Sequence, residues 1–363
     1  MKQVKTIIAG ICRTLLGVVF IFSGVVKAID PLGTVYKIED YLKAFGGFFS
    51  ELLPWATVAA VGMIALELVL GVCMVLNVRT RWTSWIALLF YLVMTPLTLY
   101  VAINNPVSDC GCFGDAVVIS NWQTFYKNVI LLTMVVILVA WRKHIHPLWS
   151  EMMELTFVVL TLAIAGGLMG YTYTHLPIMD FRPYKIGNHI PTFMEYPEDA
   201  EADQYEISLV YAKDGIEQTF TLEDYPKGDS TWIYVRTDSK LIKKGYEPPI
   251  HDFEIINAYG EDITWDILES EEPVTLVIMY DLGKADKKQM AKVEALLSDE
   301  TMGYILTGSG TDEIIALSLE HPTLSESICT CDPVTLKTIV RANPGVVVVQ
   351  NGVVIDKYNI KNR

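Results

Sequence analysis

The chain has 363 residues, 52% hydrophobic and 19% charged, with a mean hydropathy of +0.34. Such a length holds about two or three domains, and so apolar a composition points to membrane spans and away from a cytosolic enzyme or a disordered chain. Residues 1–176 carry 11 Lys+Arg against 9 Asp+Glu and residues 177–363 carry 17 against 33, so the net charge of −14 lies in an acidic second half that repels phosphate and excludes nucleic acid as a partner.

Five apolar runs, 7–26, 56–76, 82–103, 125–141 and 155–173, reach the length of about 17–25 residues that a span needs. The first is longer than a signal-peptide core. Lys27-Ala28-Ile29-Asp30-Pro31 after it has no small-x-small cleavage pattern, so the run is expected to be retained. Lys2, Lys5, Arg79, Arg81, Arg142 and Lys143 fall on one side of the spans, and Lys37 and Lys43, with Lys27 counted as a loop residue, on the other. The richer side is expected to be cytoplasmic. This orientation puts the N-terminus in the cytoplasm of a bacterial inner membrane and the acidic C-terminal half in the periplasm. Trp55, Trp82, Trp85, Trp122 and Trp141 lie near span ends, where amphipathic rings favour the interface.

Two charges lie within spans. Arg13 is about 9 Å and Glu67 about 13 Å from the cytoplasmic ends at 1.5 Å per residue. Similar depths make an Arg13–Glu67 pair geometrically possible, as a proton or ligand site or as a structural clamp with Arg13 snorkelling to the headgroups.

There are six cysteines. Cys12 and Cys73, alone in apolar spans, read as packing residues. Cys110-Gly111-Cys112 lies in the loop before the fourth span and Cys329-Thr330-Cys331 near the C-terminus, both on the expected oxidising side. A disulfide between positions i and i+2 requires the chain to turn, and Gly111 permits the turn. The first pair reads as a redox-active dithiol, an inert disulfide pinning the loop, or half of a soft-metal site. The second precedes Asp332-Pro333, a good N-cap and first helical residue. A helix N-terminus there favours thiolate, and Asp332 works against it.

The segment Arg13–Pro31, with Gly17, Ser23, Gly24, Lys27 and Asp30, resembles the first span of DoxX-type and MauE-type membrane proteins, and Glu67-Leu68-Val69-Leu70-Gly71 resembles their second. Cys110-Gly111-Cys112-Phe113-Gly114, followed by Tyr126-Lys127-Asn128, points to the MauE (methylamine utilisation) branch. The likeness covers roughly residues 5–145, a four-helix core, with a fifth span beyond it. It implies support of disulfide formation in a periplasmic client. Nothing in the chain itself indicates amine chemistry.

Beyond Pro177 the composition turns polar. Runs 205–211 and 216–222 alternate around Asp214-Gly215, a hairpin signal, and 231–235 adds a strand. From Pro248 strands and helices alternate: strand 274–280, helix 285–297, strand 304–307, helix 312–320, a helix from Pro333, and strands 346–349 and 353–358 joined by Asn351-Gly352. The order predicts an α/β sandwich with a mixed sheet. It resembles a thioredoxin-like domain of the TlpA or peroxiredoxin kind, with Pro344 in the place of the cis-proline. The position of the usual Cys-x-x-Cys reads Asp281-Leu282-Gly283-Lys284 and holds no cysteine.

The expected organisation is a membrane bundle over 1–150, a fifth transmembrane helix over 151–176, a linker with a small β-rich segment over 177–247 and the thioredoxin-like domain over 248–363. The leading expectation is thiol–disulfide redox support at Cys110 and Cys112. They would exchange with Cys329 and Cys331 or with a periplasmic client protein and pass electrons to a membrane acceptor such as quinone. Two alternatives stay open: a non-enzymatic scaffold with structural cysteines, and soft-metal handling by the two Cys-x-Cys pairs. His144 and His146 follow Arg142-Lys143 and read as headgroup-facing residues, and no zinc-type spacing is present.

Overall fold

The computed structural model describes residues 2–107, 109–145, 148–202, 204–243, 245–299 and 302–362, so His146 lies outside the described residues. It divides into two compact units, Met1–Asn188 with Glu254–Arg363, and His189–Phe253.

Among the described residues of the first unit, five helical stretches are long and apolar enough to cross a membrane: Lys2–Ile29, Gly47–Val75, Thr80–Asn104, Asn121–His144 and Glu151–Thr174. The corresponding helices are α1 (Lys2–Ile29), α3 (Ala56–Val75, preceded by a 3-10 segment, Gly47–Trp55), α4 (Thr80–Asn104), α5 (Asn121–Trp141) and α6 (Glu151–Thr174). Between α1 and α3 lies an added helix, α2 (Pro31–Phe45), which the sequence reading leaves as loop. Asp30 starts it by accepting a hydrogen bond from Gly33 N at 2.9 Å, and Pro31 takes the first helical position. Its Val35 packs on Ala56 and Ala60 of α3, with Ile38 and Leu42 alongside. A Ser120–Gln123 capping box starts α5, and Ser150 caps α6.

Helices α1 and α3 pack closely because both carry glycine at the crossing. A Cβ on Gly17 would stand 2.8 Å from Val75 Cγ2, and one on Gly71 would stand 2.7 Å from Ile21 N. Without a hydrophobic gain between helices in lipid, such close backbone approach is what holds them. Phe20 of α1 then meets Phe90 and Tyr91 of α4 at 5.4 and 5.5 Å, in a cluster with Leu70, Leu131, Val135 and Leu138.

The C-terminal part of this unit is a five-stranded sheet in the order β6-β5-β4-β7-β8, made of β4 (Val274–Ile278), β5 (Gly303–Thr307), β6 (Ile328–Thr330), β7 (Gly345–Gln350) and β8 (Val353–Asn359). Strands β4, β5 and β6 are parallel, and β7 and β8 run antiparallel to their neighbours. Every residue of β4 is buried, as expected of a strand covered on both faces. The connecting helices are α8 (Thr264–Leu268), α9 (Lys287–Asp299), α10 (Thr311–Glu320) and α11 (Pro333–Ile339). The Asn343-Pro344 peptide ahead of β7 is cis. Asn351 and Gly352, at φ 47° and 71°, make the turn between β7 and β8.

The second unit holds the short helix α7 (Ile190–Met194) and an antiparallel sheet, β2-β1-β3, of β1 (Gln204–Lys213), β2 (Ile216–Thr221) and β3 (Ile233–Lys243). Asp214 and Gly215 close the first hairpin at φ 53° and 80°, the left-handed pair that a two-residue turn demands. Tyr211 gathers Phe220, Tyr225 and Tyr234 within 6.2 Å on one face.

Candidate functional site: the Cys110-Gly111-Cys112 loop

The loop after α4 is shaped by a few polar contacts. Asp109 accepts a hydrogen bond from Gly111 N at 2.7 Å and pairs through its other oxygen with Lys37 Nζ of α2 at 2.9 Å. Gly111 takes φ +64°, a left-handed conformation that glycine adopts without steric cost. A Cβ there would also stand 2.7 Å from Lys37 Cγ. The turn brings Cys110 Sγ and Cys112 Sγ to 2.8 Å. Tyr41 of α2 donates to the Cys110 carbonyl at 3.3 Å, and Gly114 N donates to the Gly111 carbonyl at 3.1 Å. Cys110 is buried and Cys112 is partly exposed; both are free thiols.

The two sulfurs are electrostatically unequal. The hydrogen bond from Cys110 lowers the Cys112 thiol pKa; burial opposes it, and the nearby Lys127 and Lys27 ammonium groups help. The same hydrogen bond, together with burial, pushes Cys110 up. Of the two, Cys112 is therefore the thiol in which the thiolate form is favoured.

Beneath the loop lies a buried polar triad. Lys27 Nζ stands 2.7 and 2.9 Å from the two Glu67 carboxylate oxygens and 3.0 Å from Ser23 Oγ. Ser23 Oγ is 2.9 Å from Glu67 Oε2 and 2.7 Å from the Cys112 carbonyl oxygen, so its single proton serves one of them at a time. The triad thus ties α1 and α3 to the cysteine loop. Lys27 and Glu67 are 5% and 3% exposed, and charges so buried need each other.

This corrects two expectations. Arg13 does not pair with Glu67; it donates to the carbonyls of Met74 and Val75, the latter at 3.1 Å. Helices α1 and α3 are antiparallel, so Arg13 lies opposite the end of α3, while Glu67 lies opposite Ser23 and Lys27. Depths counted from the ends of apolar runs missed this register. Lys27 is not a loop residue either, because α1 continues to Ile29. A lysine four residues after Ser23, at the end of an apolar run, was the available signal.

The C-terminal sheet domain docks on this same region. Arg341, after α11, pairs with Asp30 at 2.9 Å and with Asp115 of the cysteine loop at 3.0 Å, while Tyr36 OH of α2 donates to Tyr280 OH at 3.0 Å. Burial raises the Asp30 pKa, but Arg341 and Arg182 outweigh it and hold the carboxyl below its ordinary value. A second junction is Asp180, bound by Arg182 Nε at 2.7 Å and by Lys357 Nζ of β8 at 2.8 Å. None of Arg341, Asp115, Asp180 or Arg182 carries a local motif, and apart from the neighbouring Asp180 and Arg182 only the folded chain brings them to their partners.

Cys329 lies within β6, opposite Leu306 of β5, and Cys331 follows it with its N–H on the Thr307 carbonyl at 3.0 Å. Burial pushes their thiols up to about 11 and about 12, and the Asp332 carboxylate adds to the second. Asp332 caps α11 through Thr335 N at 2.7 Å, as its sequence context predicts. Among the described residues no group of three or more His, Cys, Asp or Glu is placed to hold a metal ion. The two Cys-x-Cys pairs therefore do not combine into the four-thiolate site that soft-metal handling requires. Pro344 follows Asn343, whose side chain bridges to Asp281: Asn343 Nδ2 donates to the Asp281 carbonyl at 2.8 Å and Oδ1 accepts from Asp281 N at 3.1 Å.

Residues 5–142 match the family model of methylamine utilisation protein MauE. The match takes in α1 to α5 and the cysteine loop and stops before α6. Residues 205–244, the three-stranded sheet, match a domain of unknown function (DUF8463). No curated protein and no solved structure matches the chain significantly. The MauE-like region is thus the part that carries the Lys27–Glu67 triad and both loop cysteines.

Proposed function

We propose that the chain is a membrane-bound thiol–disulfide exchange protein of the bacterial inner membrane that supports maturation of periplasmic clients through Cys110 and Cys112. One observation carries this: a lowered-pKa Cys112 lies 2.8 Å from the Cys110 sulfur, in a loop held against membrane helices. In the oxidised form a client thiolate attacks the Cys110–Cys112 disulfide. A mixed disulfide forms, the client's second thiol displaces it, and the client leaves oxidised while the pair is left as two thiols. The excess of basic residues at one set of span ends supports an N-terminus in the cytoplasm and the cysteine loop in the periplasm.

The strand order and directions of β4 to β8 support reading the C-terminal domain as thioredoxin-like. Its Tyr280-Asp281 edge has no cysteine and is packed on α2, so it serves as a fixed cover over the loop rather than as a second redox centre. That docking also favours a second reading, a scaffold whose cysteines are structural. Redox titration of the purified protein with thiol-alkylation mass spectrometry separates the two. A reversible couple at Cys110 and Cys112 between about −120 and −270 mV supports exchange; a pair still oxidised below roughly −300 mV makes it a staple and overturns the proposal.

A further inference from the structure

A dithiol that oxidises clients must itself be reoxidised. The cysteine loop forms part of the wall of a cavity of about 290 Å³. Most of that wall is apolar or aromatic, and it is shared between membrane helices, including Phe20, Phe90, Tyr91, Met63 and Leu97, helix α2 and the loop itself. Met63 lies seven residues into α3, about 10 Å along it, so the cavity runs from the loop down into the level of the spans. One buried cation among its lining residues lacks a full set of partners among the described residues. Arg182 is 3% exposed, with Nε on Asp180 and Nη1 on the Thr338 carbonyl, while Nη2 is buried with no acceptor among the described residues. Arg182 lines this same cavity. A buried N–H calls for an acceptor, and an apolar pocket with few convergent polar groups suits a flat apolar ligand bearing a polar oxygen.

We propose that the cavity binds a lipid-soluble quinone, its ring among the aromatic side chains and a ring oxygen as the acceptor that Arg182 Nη2 lacks. The proposal rests on the redox reading above and names its electron acceptor. Two S–H bonds break and one S–S bond forms between Cys110 and Cys112. The two electrons and two protons pass to the quinone, whose two ring carbonyls become the two hydroxyls of a quinol.

The test uses the full chain in lipid nanodiscs and a decyl-tailed benzoquinone as probe. Binding is measured on Cys110→Ser/Cys112→Ser protein, where no electron transfer can occur. Saturable binding is expected, weakened tenfold or more by Arg182→Gln. Leu97→Trp, which fills the cavity without touching the Asp180 ion pairs, is expected to do the same, so a folding defect at Arg182 cannot hide the result. Reduced wild-type protein is then expected to consume one quinone per Cys110–Cys112 pair. Absence of saturable binding, binding indifferent to both variants, or displacement of the probe by phosphatidylglycerol without any quinone reduction overturns the proposal. A pair that diamide oxidises reversibly while the quinone neither binds nor reacts sinks the quinone site alone; a pair inert to both oxidants sinks the redox reading itself.

Discussion

The segments Cys110-Gly111-Cys112 and Cys329-Thr330-Cys331 share a spacing, and the chain around them gives that spacing two different meanings. The first sits in a loop where Gly111 at φ +64° folds the backbone back and brings the sulfurs together. The second begins at Cys329 in β6 and ends at Cys331 just past that strand; in extended chain, positions i and i+2 are about 6.6–6.8 Å apart, at the outer limit for a disulfide. Lys127 and Lys27 lie near the first pair, whereas burial and Asp332 disfavour charge on the second. Cysteine spacing is thus a weaker signal than the conformation of the residue between the cysteines and the charges beside them.

Four measurements break or sharpen this contrast. Cys112→Ser is expected to abolish the reversible couple entirely, whereas Cys329→Ser and Cys331→Ser leave it in place; a couple that survives Cys112→Ser and vanishes with Cys331→Ser would reverse the assignment. The next largest effect is in alkylation rates against pH. At pH 8, thiols at about 11 and about 12 are thiolate in about one part in a thousand or fewer, so Cys329 and Cys331 should label very slowly. Cys112, with its value lowered to about 6, should label readily there, and its rate should fall off only as pH approaches that value, well below the ordinary thiol value of about 8.5. The same shift stabilises the fold above the ordinary value, and that contribution is lost as pH falls through the lowered one.

Arg341→Met tests whether the cover over the first pair matters. It takes its closest partner from the part-buried Asp30 carboxylate, leaving Arg182 as the nearby cation, and releases Asp115, at a cost of at most about 3–5 kcal/mol, the figure for a fully uncompensated buried charge. The expected outcome is a lower Tm and faster maleimide labelling of Cys110, with Cys329 labelling changed less. Equal labelling of Cys110 in variant and wild type would show that docking does not shield the loop. The smallest effect is at the spacers. Gly111→Ala forces an L side chain into the left-handed region at about 1–2 kcal/mol and against Lys37, which should slow thiol exchange about tenfold. Thr330→Ala, on an extended strand, should leave exchange unchanged.

Much of the architecture was legible from residue pattern because its causes are local. Continuous apolar runs marked the five membrane-length helices, Asp214-Gly215 and Asn351-Gly352 marked their hairpins, and Asp332-Pro333 marked the start of α11. Helix α2 escaped because Lys37, Glu39, Asp40 and Lys43 broke its apolar run, although Val35, Ile38 and Leu42 repeat at helical spacing. Gly111 identified the loop as able to turn.

The partners of the charges were another matter. Lys27 with Glu67, Arg341 with Asp30 and Asp115, and Arg182 with Asp180 join residues 40, 311, 226 and 2 positions apart. Except for the last, these pairs depend on helix register and on the docking of one part of the unit against another. Apolar periodicity reports which face of an element is buried, because burial is non-directional and set residue by residue. An ion pair needs two side chains to meet at about 3 Å, and that distance is settled only when the helices have slid into register and the sheet has come down upon them.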